Sequence, residues 1–125
     1  MKSRESVVRL RKFQVREKSR QVGQIDTMMG EFARMAADLD AQIAYEERKT
    51  GIDDPTHFAY STFAKAARQR RENLQNSVLD LENQLKAAEE ALAEAEAELA
   101  KAERLEERDG RPAEEPAEQR AMMIG

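Results

Sequence analysis

Apolar residues recur at every seventh position along two long stretches of this sequence. The first series runs through Val8, Val15, Val22, Met29, Ala36 and Ile43. A second series, three residues on, runs through Arg11, Lys18, Ile25, Phe32 and Leu39. The other stretch alternates steps of three and four through Ala64, Ala67, Arg71, Leu74, Val78, Leu81, Leu85, Ala88, Leu92, Ala95, Leu99 and Ala102. This spacing predicts a coiled coil, because it places one apolar stripe of each helix against a partner helix.

One strong break separates the two stretches, at Thr50-Gly51-Ile52-Asp53-Asp54-Pro55. Gly51 suits the left-handed residue that ends a helix. Asp54 suits an N-cap, and Pro55 suits the first helical position, where its missing N–H costs nothing. The predicted boundaries are 3–49 for the first helix, 50–57 for the turn and 58–108 for the second helix, which together make one domain over residues 1–108.

The distribution of charge indicates that the two helices pair within one chain. Residues 1–20 contain eight basic and two acidic residues, and a hairpin lays them beside the glutamate-rich residues 88–106. A parallel dimer of first helices would instead bring the basic segments together. Residues 109–125 contain prolines and no apolar period, which is typical of disorder. The predicted fold class is all-α, an antiparallel coiled-coil hairpin with a disordered C-terminal tail at 109–125.

Composition and motifs argue against catalysis. Charged residues make up 37% and aromatic residues 5% of the chain, which is typical of long helices, and the absence of cysteine excludes disulfides and thiolate metal sites. No phosphate-binding glycine loop, zinc-binding helix or nucleophile elbow is present. The lone His57 fits a polar turn residue better than a ligand or a pH switch. We therefore expect a protein that is not an enzyme and has no cofactor or metal.

Targeting signals are also missing from the sequence. No stretch approaches the roughly 20 apolar residues that span a bilayer, and no apolar segment follows the charged N-terminus. The expectation is a cytoplasmic protein without direct membrane insertion.

The N-terminal segment is the first candidate binding site, because its basic residues alternate with apolar ones. Such a pattern fits nucleic acid or membrane binding, intramolecular pairing with the second helix, or protein docking. The acidic second helix makes nucleic acid the least favoured of these partners. The candidate residues are Arg4, Val7, Arg9, Leu10, Arg11, Lys12, Phe13 and Arg16.

The turn is the second candidate site, because it is more apolar than a short connection requires. Its candidate residues are Ile52, Phe58, Tyr60 and Phe63. Two helices that meet at a turn bury little, so some of these side chains are expected to be exposed anchors for a protein partner. The alternative is that they close the end of the hairpin locally, against Ile43 and Tyr45.

Two blocks of sequence resemble the FliJ family of flagellar type III export proteins, and in particular its alphaproteobacterial members. The first block is Lys2-Ser3-Arg4…Val8-Arg9-Leu10…Phe13-Gln14-Val15. The second and more specific block is Thr50-Gly51-Ile52-Asp53…His57-Phe58-Ala59-Tyr60…Phe63-Ala64-Lys65-Ala66-Ala67-Arg68. The likeness covers about residues 1–108.

The resemblance implies a small cytoplasmic hairpin that is similar to the coiled-coil stalk of the rotary ATP synthase γ subunit. It implies association with the hexameric flagellar export ATPase, whose central hole receives the end that carries both termini. It also implies contact with the cytoplasmic domain of the export gate, escort of export chaperones, and a peripheral location at the flagellar basal body on the inner membrane. The alternative is a generic coiled-coil scaffold or secretion chaperone that works without an ATPase.

Overall fold

The computed structural model describes residues 2–109, and two α-helices occupy most of this range. Helix α1 spans Lys2–Thr50 and helix α2 spans Thr62–Asp109. The two helices pack against each other, and residues 2–109 contain no β-strand. The predicted all-α helical hairpin is therefore confirmed. The predicted disordered tail lies outside the described residues from position 110 onward, and Asp109 belongs to α2.

The described chain divides into two compact units, each built from one segment of α1 and one segment of α2. Unit 1 contains residues 2–22 and 88–109, and unit 2 contains residues 23–87. The ion pairs that join the helices are Arg4–Asp109 and Arg11–Glu98 in unit 1, and Asp40–Arg71 and Glu47–Arg68 in unit 2. In each unit the later residue of α1 meets the earlier residue of α2, so the helices are antiparallel.

The seven-residue pattern marks the contact face correctly in both units. Every predicted seam position is buried or half-buried. The core of unit 2 is formed by Leu39, Ile43 and Ala67, with Leu74 packed against them. The small Ala64 and Ala67 are almost completely enclosed, because alanine lets the neighbouring helix approach closely. Burial of this stripe is the main source of stability for two helices of this kind.

Helix α1 ends as its sequence predicts. Gly51 has a φ of 74° and donates its N–H to the Glu47 carbonyl oxygen at 2.9 Å. This bond satisfies a carbonyl that the end of the helix would otherwise leave free.

Helix α2 begins at Thr62, four residues later than predicted. Ser61 is the actual N-cap, because its Oγ accepts the Ala64 N–H at 3.2 Å. The Asp54 carboxylate instead accepts the Thr56 N–H at 2.9 Å and the Thr56 hydroxyl at 2.7 Å. Asp54 therefore stabilises a local turn, and Pro55 belongs to that turn and not to a helix. Residues 51–61 form the connector.

Within residues 2–109, neither helix contains an apolar stretch long enough to cross a bilayer.

Candidate functional site

Three apolar side chains of unit 1 lie outside the helix–helix contact. Leu10 and Phe13 are each 52% exposed, and Val7 is also exposed. Their spacing of three residues makes them neighbours on the surface of α1. We call these three residues the N-terminal strip. The sequence placed them outside the seam, and the structure agrees.

Two of the candidate basic residues are engaged within the chain. The Arg4 Nε donates to Asp109 Oδ2 at 2.7 Å. Arg11 is half-buried in the seam, where Nη1 donates to Gln14 Oε1 at 3.0 Å and Nη2 lies 3.8 Å from Glu98 Oε2. Intramolecular pairing with α2 therefore accounts for Arg4 and Arg11, which makes them poor candidates for contact with a partner.

The other three candidate basic residues, Arg9, Lys12 and Arg16, are exposed. Arg9 donates only to Ser6 Oγ, at 3.3 Å, and Lys12 has no ion pair or hydrogen bond among residues 2–109. The pKa of Glu17 is lowered mainly by the hydrogen bond from Arg20 and by the charge of Arg20, and to a smaller extent by the charge of Arg16. Arg9 and Arg16 lie four and three residues from Phe13, so these two cations border the N-terminal strip, and Lys12 neighbours both of them at a spacing of three and four residues. The strip and these three cations together are the N-terminal surface.

The four turn candidates divide into exposed and buried side chains. Phe58 is 97% exposed, and its ring stacks on His57 with centroids 4.8 Å apart and planes at 22°. His57 is held in place because its Nδ1 accepts the Ala59 N–H at 3.0 Å. Phe63 is exposed and Ile52 is half-buried. The expectation that some of the turn side chains are exposed therefore holds for Phe58 and Phe63.

Tyr60 does not match that expectation, because it is only 8% exposed. Its hydroxyl donates to Glu47 Oε2 at 2.7 Å and accepts a hydrogen bond from Arg68 Nε at 2.7 Å. Arg68 Nη2 lies 2.8 Å from the same Glu47 oxygen, and its guanidinium carbon lies 5.8 Å from the centre of the Tyr60 ring. We call this arrangement the Tyr60 clamp. Tyr60 is enclosed at the connector, where its hydroxyl contacts Glu47 and Arg68.

The clamp shifts the proton affinities of its members. The pKa of Glu47 is lowered, first by the hydrogen bond from Arg68 and then by the one from Tyr60. Burial is the main reason that the pKa of Tyr60 is raised, and its hydrogen bond to Glu47 adds to the effect. The Glu47 carboxylate also raises the pKa of Arg68. Folding therefore favours ionised Glu47, neutral Tyr60 and charged Arg68.

Replacing Glu47 by glutamine is expected to lower the melting temperature at pH 7, by an amount that shrinks in acid. The pKa of Glu47 is below its ordinary value of 4.5 in the folded chain, so its stabilisation is complete above that pH. The stabilisation is lost as the pH falls through the folded pKa. Thermal unfolding by circular dichroism at pH 7, 5 and 3 measures the difference, with Glu72→Gln as an exposed control. A difference that grows in acid would contradict the clamp.

Tyr45 is an exposed aromatic residue that belongs to neither predicted site. It borders a groove of about 540 Å³ in unit 2, lined by Ala41, Gln42, Tyr45, Glu46, Lys49 and Phe63. Its exposure could have been predicted from the sequence, because Tyr45 lies outside the seam, two residues after Ile43. Among residues 2–109, no group of three or more His, Asp or Glu side chains is placed to hold a metal ion.

The fold and its exposed surfaces define a two-helix antiparallel hairpin with apolar and basic side chains available on α1 and aromatic side chains at the connector. No family model, no curated protein and no solved structure matches this chain.

Proposed function

We propose that this chain is a component of flagellar type III protein export, a non-catalytic coiled-coil stalk that associates with the hexameric export ATPase. The resemblance of its first residues and of its turn block to the FliJ family supports this proposal. The observation that carries it is the N-terminal surface, where Leu10 and Phe13 are exposed beside cations that α2 does not neutralise. The protein itself hydrolyses nothing in this proposal.

The chemistry of the N-terminal surface suits a ring-shaped partner. One hairpin has no sixfold symmetry, so it cannot satisfy six identical subunits at once. Exposed charges mainly set the rate and the salt dependence of association, and they add little to the affinity. Arg9, Lys12 and Arg16 supply such charges, and Leu10 and Phe13 supply apolar anchors. Arg4 and Arg11 are left out of this set because they pair with Asp109 and Glu98.

The connector is the second proposed contact region. Phe58 and Phe63 present exposed aromatic rings, which are frequent anchors in protein interfaces. We assign them to the cytoplasmic domain of the export gate. Escort of export chaperones and a peripheral position at the flagellar basal body on the inner membrane complete the proposal.

Reversing three charges tests the ATPase contact. The variant Arg9→Glu with Lys12→Glu and Arg16→Glu is expected to weaken binding to the export ATPase about tenfold, or about 1.4 kcal/mol. In this proposal the ring presents acidic groups to the N-terminal surface, so the reversed charges would be repelled by them. Binding of the wild-type chain is also expected to weaken with added salt. Surface plasmon resonance at several salt concentrations measures both effects.

A matched variant separates the site from its total charge. Arg34→Glu with Lys65→Glu and Lys86→Glu changes three exposed cations of unit 2 by the same total charge. This variant is expected to bind the ATPase like the wild-type chain. Equal loss in both variants would show that net charge, and not the N-terminal surface, matters. Absence of binding by the wild-type chain would favour a coiled-coil scaffold or secretion chaperone that works without an ATPase.

A further inference from the structure

The N-terminal strip is an apolar patch that residues 2–109 leave partly exposed. Leu10 and Phe13 each leave about half of their surface exposed, and Val7 extends the patch toward the start of α1. Isolated exposed apolar residues are ordinary on protein surfaces. Three neighbours on one helix, bordered by cations, have the composition of a binding site.

The last turn of α2 lies beside the first turn of α1. The hydrogen bond of 2.7 Å from Arg4 Nε to Asp109 Oδ2 fixes this position. Leu10 is six residues beyond Arg4, or roughly 9 Å along the helix axis, and Phe13 is roughly 14 Å beyond it. Residues 110–125 therefore begin close to the strip.

Residues 110–125 have the chemistry to cover this surface. They contain the apolar run Met122-Met123-Ile124. They also contain three glutamates, Glu114, Glu115 and Glu118, against Arg111 and Arg120. Methionine adapts its shape to irregular apolar surfaces. The glutamates complement the three cations of the N-terminal surface.

The length of the segment is sufficient. Thirteen residues lead from Asp109 to Met122, and an extended chain of that length spans at most ~45 Å. That reach is several times the distance from Asp109 to Phe13 along the helix. A tethered segment of this kind has an effective concentration on the order of mM, so contacts too weak to join separate molecules are populated.

We propose that residues 110–125 dock on the N-terminal surface of the same chain. Met122 and Ile124 cover Leu10 and Phe13, and the glutamates of the segment lie near Arg9, Lys12 and Arg16. One consequence rests on the proposed function: the docked segment and the export ATPase compete for the same surface. The docking itself does not depend on the ATPase.

Disulfide formation tests the docking, because the chain has no cysteine of its own. The full-length variant Leu10→Cys with Gly125→Cys is compared with Glu103→Cys with Gly125→Cys. Glu103 is an exposed residue six positions before Asp109, so both pairs have a similar distance to close. In dilute oxidising solution the first pair is expected to form its intramolecular disulfide at least five times faster. Equal rates would overturn the proposal.

A second variant tests the apolar contact. Met122→Asp with Ile124→Asp, added to the Leu10→Cys and Gly125→Cys pair, is expected to reduce the rate to that of the Glu103 pair. A rate that stays high would overturn the apolar docking. Circular dichroism is expected to be the same for all variants, because none of the changed side chains belongs to the buried seam.

Binding to the export ATPase separates the two proposals. Full-length chain with Met122→Asp and Ile124→Asp is expected to bind the ATPase two to five times more tightly, because the docked segment no longer competes. If Leu10 crosslinks preferentially but neither the wild-type chain nor the Met122→Asp and Ile124→Asp chain binds the ATPase, the docking stands and the proposed function fails. If these two chains bind the ATPase equally and the crosslinking rates are equal, the docking fails and the proposed function stands.

Discussion

Replacing Leu39 by alanine is expected to lower the free energy of unfolding by about 2–3 kcal/mol. Leu39 is 8% exposed and packs with Ile43 and Ala67 in the core of unit 2. Removing a buried leucine loses its transfer free energy and leaves a cavity. The cost falls at the low end of the usual range of 2–5 kcal/mol, because a core of two helices is open to water and can relax. The melting temperature is expected to fall by about 10 °C.

Leu79→Ala is the matched control for this prediction. It makes the same chemical change in the same unit, but Leu79 is 57% exposed. Its cost is expected to stay within about 0.5 kcal/mol. Chemical denaturation followed by circular dichroism gives both values. Similar costs at the two positions would contradict the assignment of the seam, because burial would then not decide the effect.

Replacing Tyr60 by alanine is expected to cost about 3 kcal/mol, because the change removes a buried ring and a hydroxyl with two charged partners. Tyr60→Phe retains the ring and loses only the hydrogen bonds to Glu47 and Arg68. Its expected cost is about 1–2 kcal/mol. Phe58→Ala, two residues away, is expected to stay within about 0.5 kcal/mol, since Phe58 is almost fully exposed.

Thermal and urea unfolding of the three variants test this order of effects. The expected sequence is Tyr60→Ala, then Tyr60→Phe, then Phe58→Ala. An unchanged melting temperature for Tyr60→Ala would contradict the clamp. Tyr60 would then again be a candidate for contact with a partner. Under the proposed function, binding of the cytoplasmic domain of the export gate is expected to depend on Phe58 and not on the Tyr60 hydroxyl. A pull-down with Phe58→Ala and Tyr60→Phe compares the two.

The contact face of each helix could be predicted from the sequence, because the positions that are buried against the partner helix must be apolar and therefore recur at a fixed spacing. Seam residues such as Ile43 and Leu81 are buried, and Leu10 and Phe13 lie outside the seam as predicted. Gly51 was equally clear, because a left-handed residue at a helix end favours glycine. In both cases a local structural requirement, burial or a left-handed backbone, is met by one kind of residue, apolar or glycine.

The start of α2 could not be predicted so well, because several residues meet the same requirement. Asp54 and Ser61 are both good N-cap types, and both accept backbone N–H groups in the structure. An aspartate that stabilises a turn and a residue that caps a helix use the same kind of hydrogen bond. The sequence therefore favoured the Asp54-Pro55 pair, although the helix begins after Ser61.

The role of Tyr60 was hidden for a different reason. Glu47 and Arg68 form an ion pair of 2.8 Å between the two helices. Nothing in the seven-residue pattern showed that the Tyr60 hydroxyl would form hydrogen bonds with both of these charges. Composition identified an excess of aromatic residues near the turn, but only the path of the connector decides which ring is enclosed.

The Tyr60 clamp also implies an order in which the contacts of the chain form during folding. It joins residues 13 and 21 positions apart, whereas the contact between Arg4 and Asp109 joins residues 105 positions apart. The entropy lost on closing a loop grows with the logarithm of its length, so the longer closure costs roughly 1.4 kcal/mol more than the 21-residue one. Pairing therefore starts at the connector and proceeds away from it. The contact between Arg4 and Asp109 forms last and opens first, so the first turn of α1 is the part of the helix that separates most readily from α2.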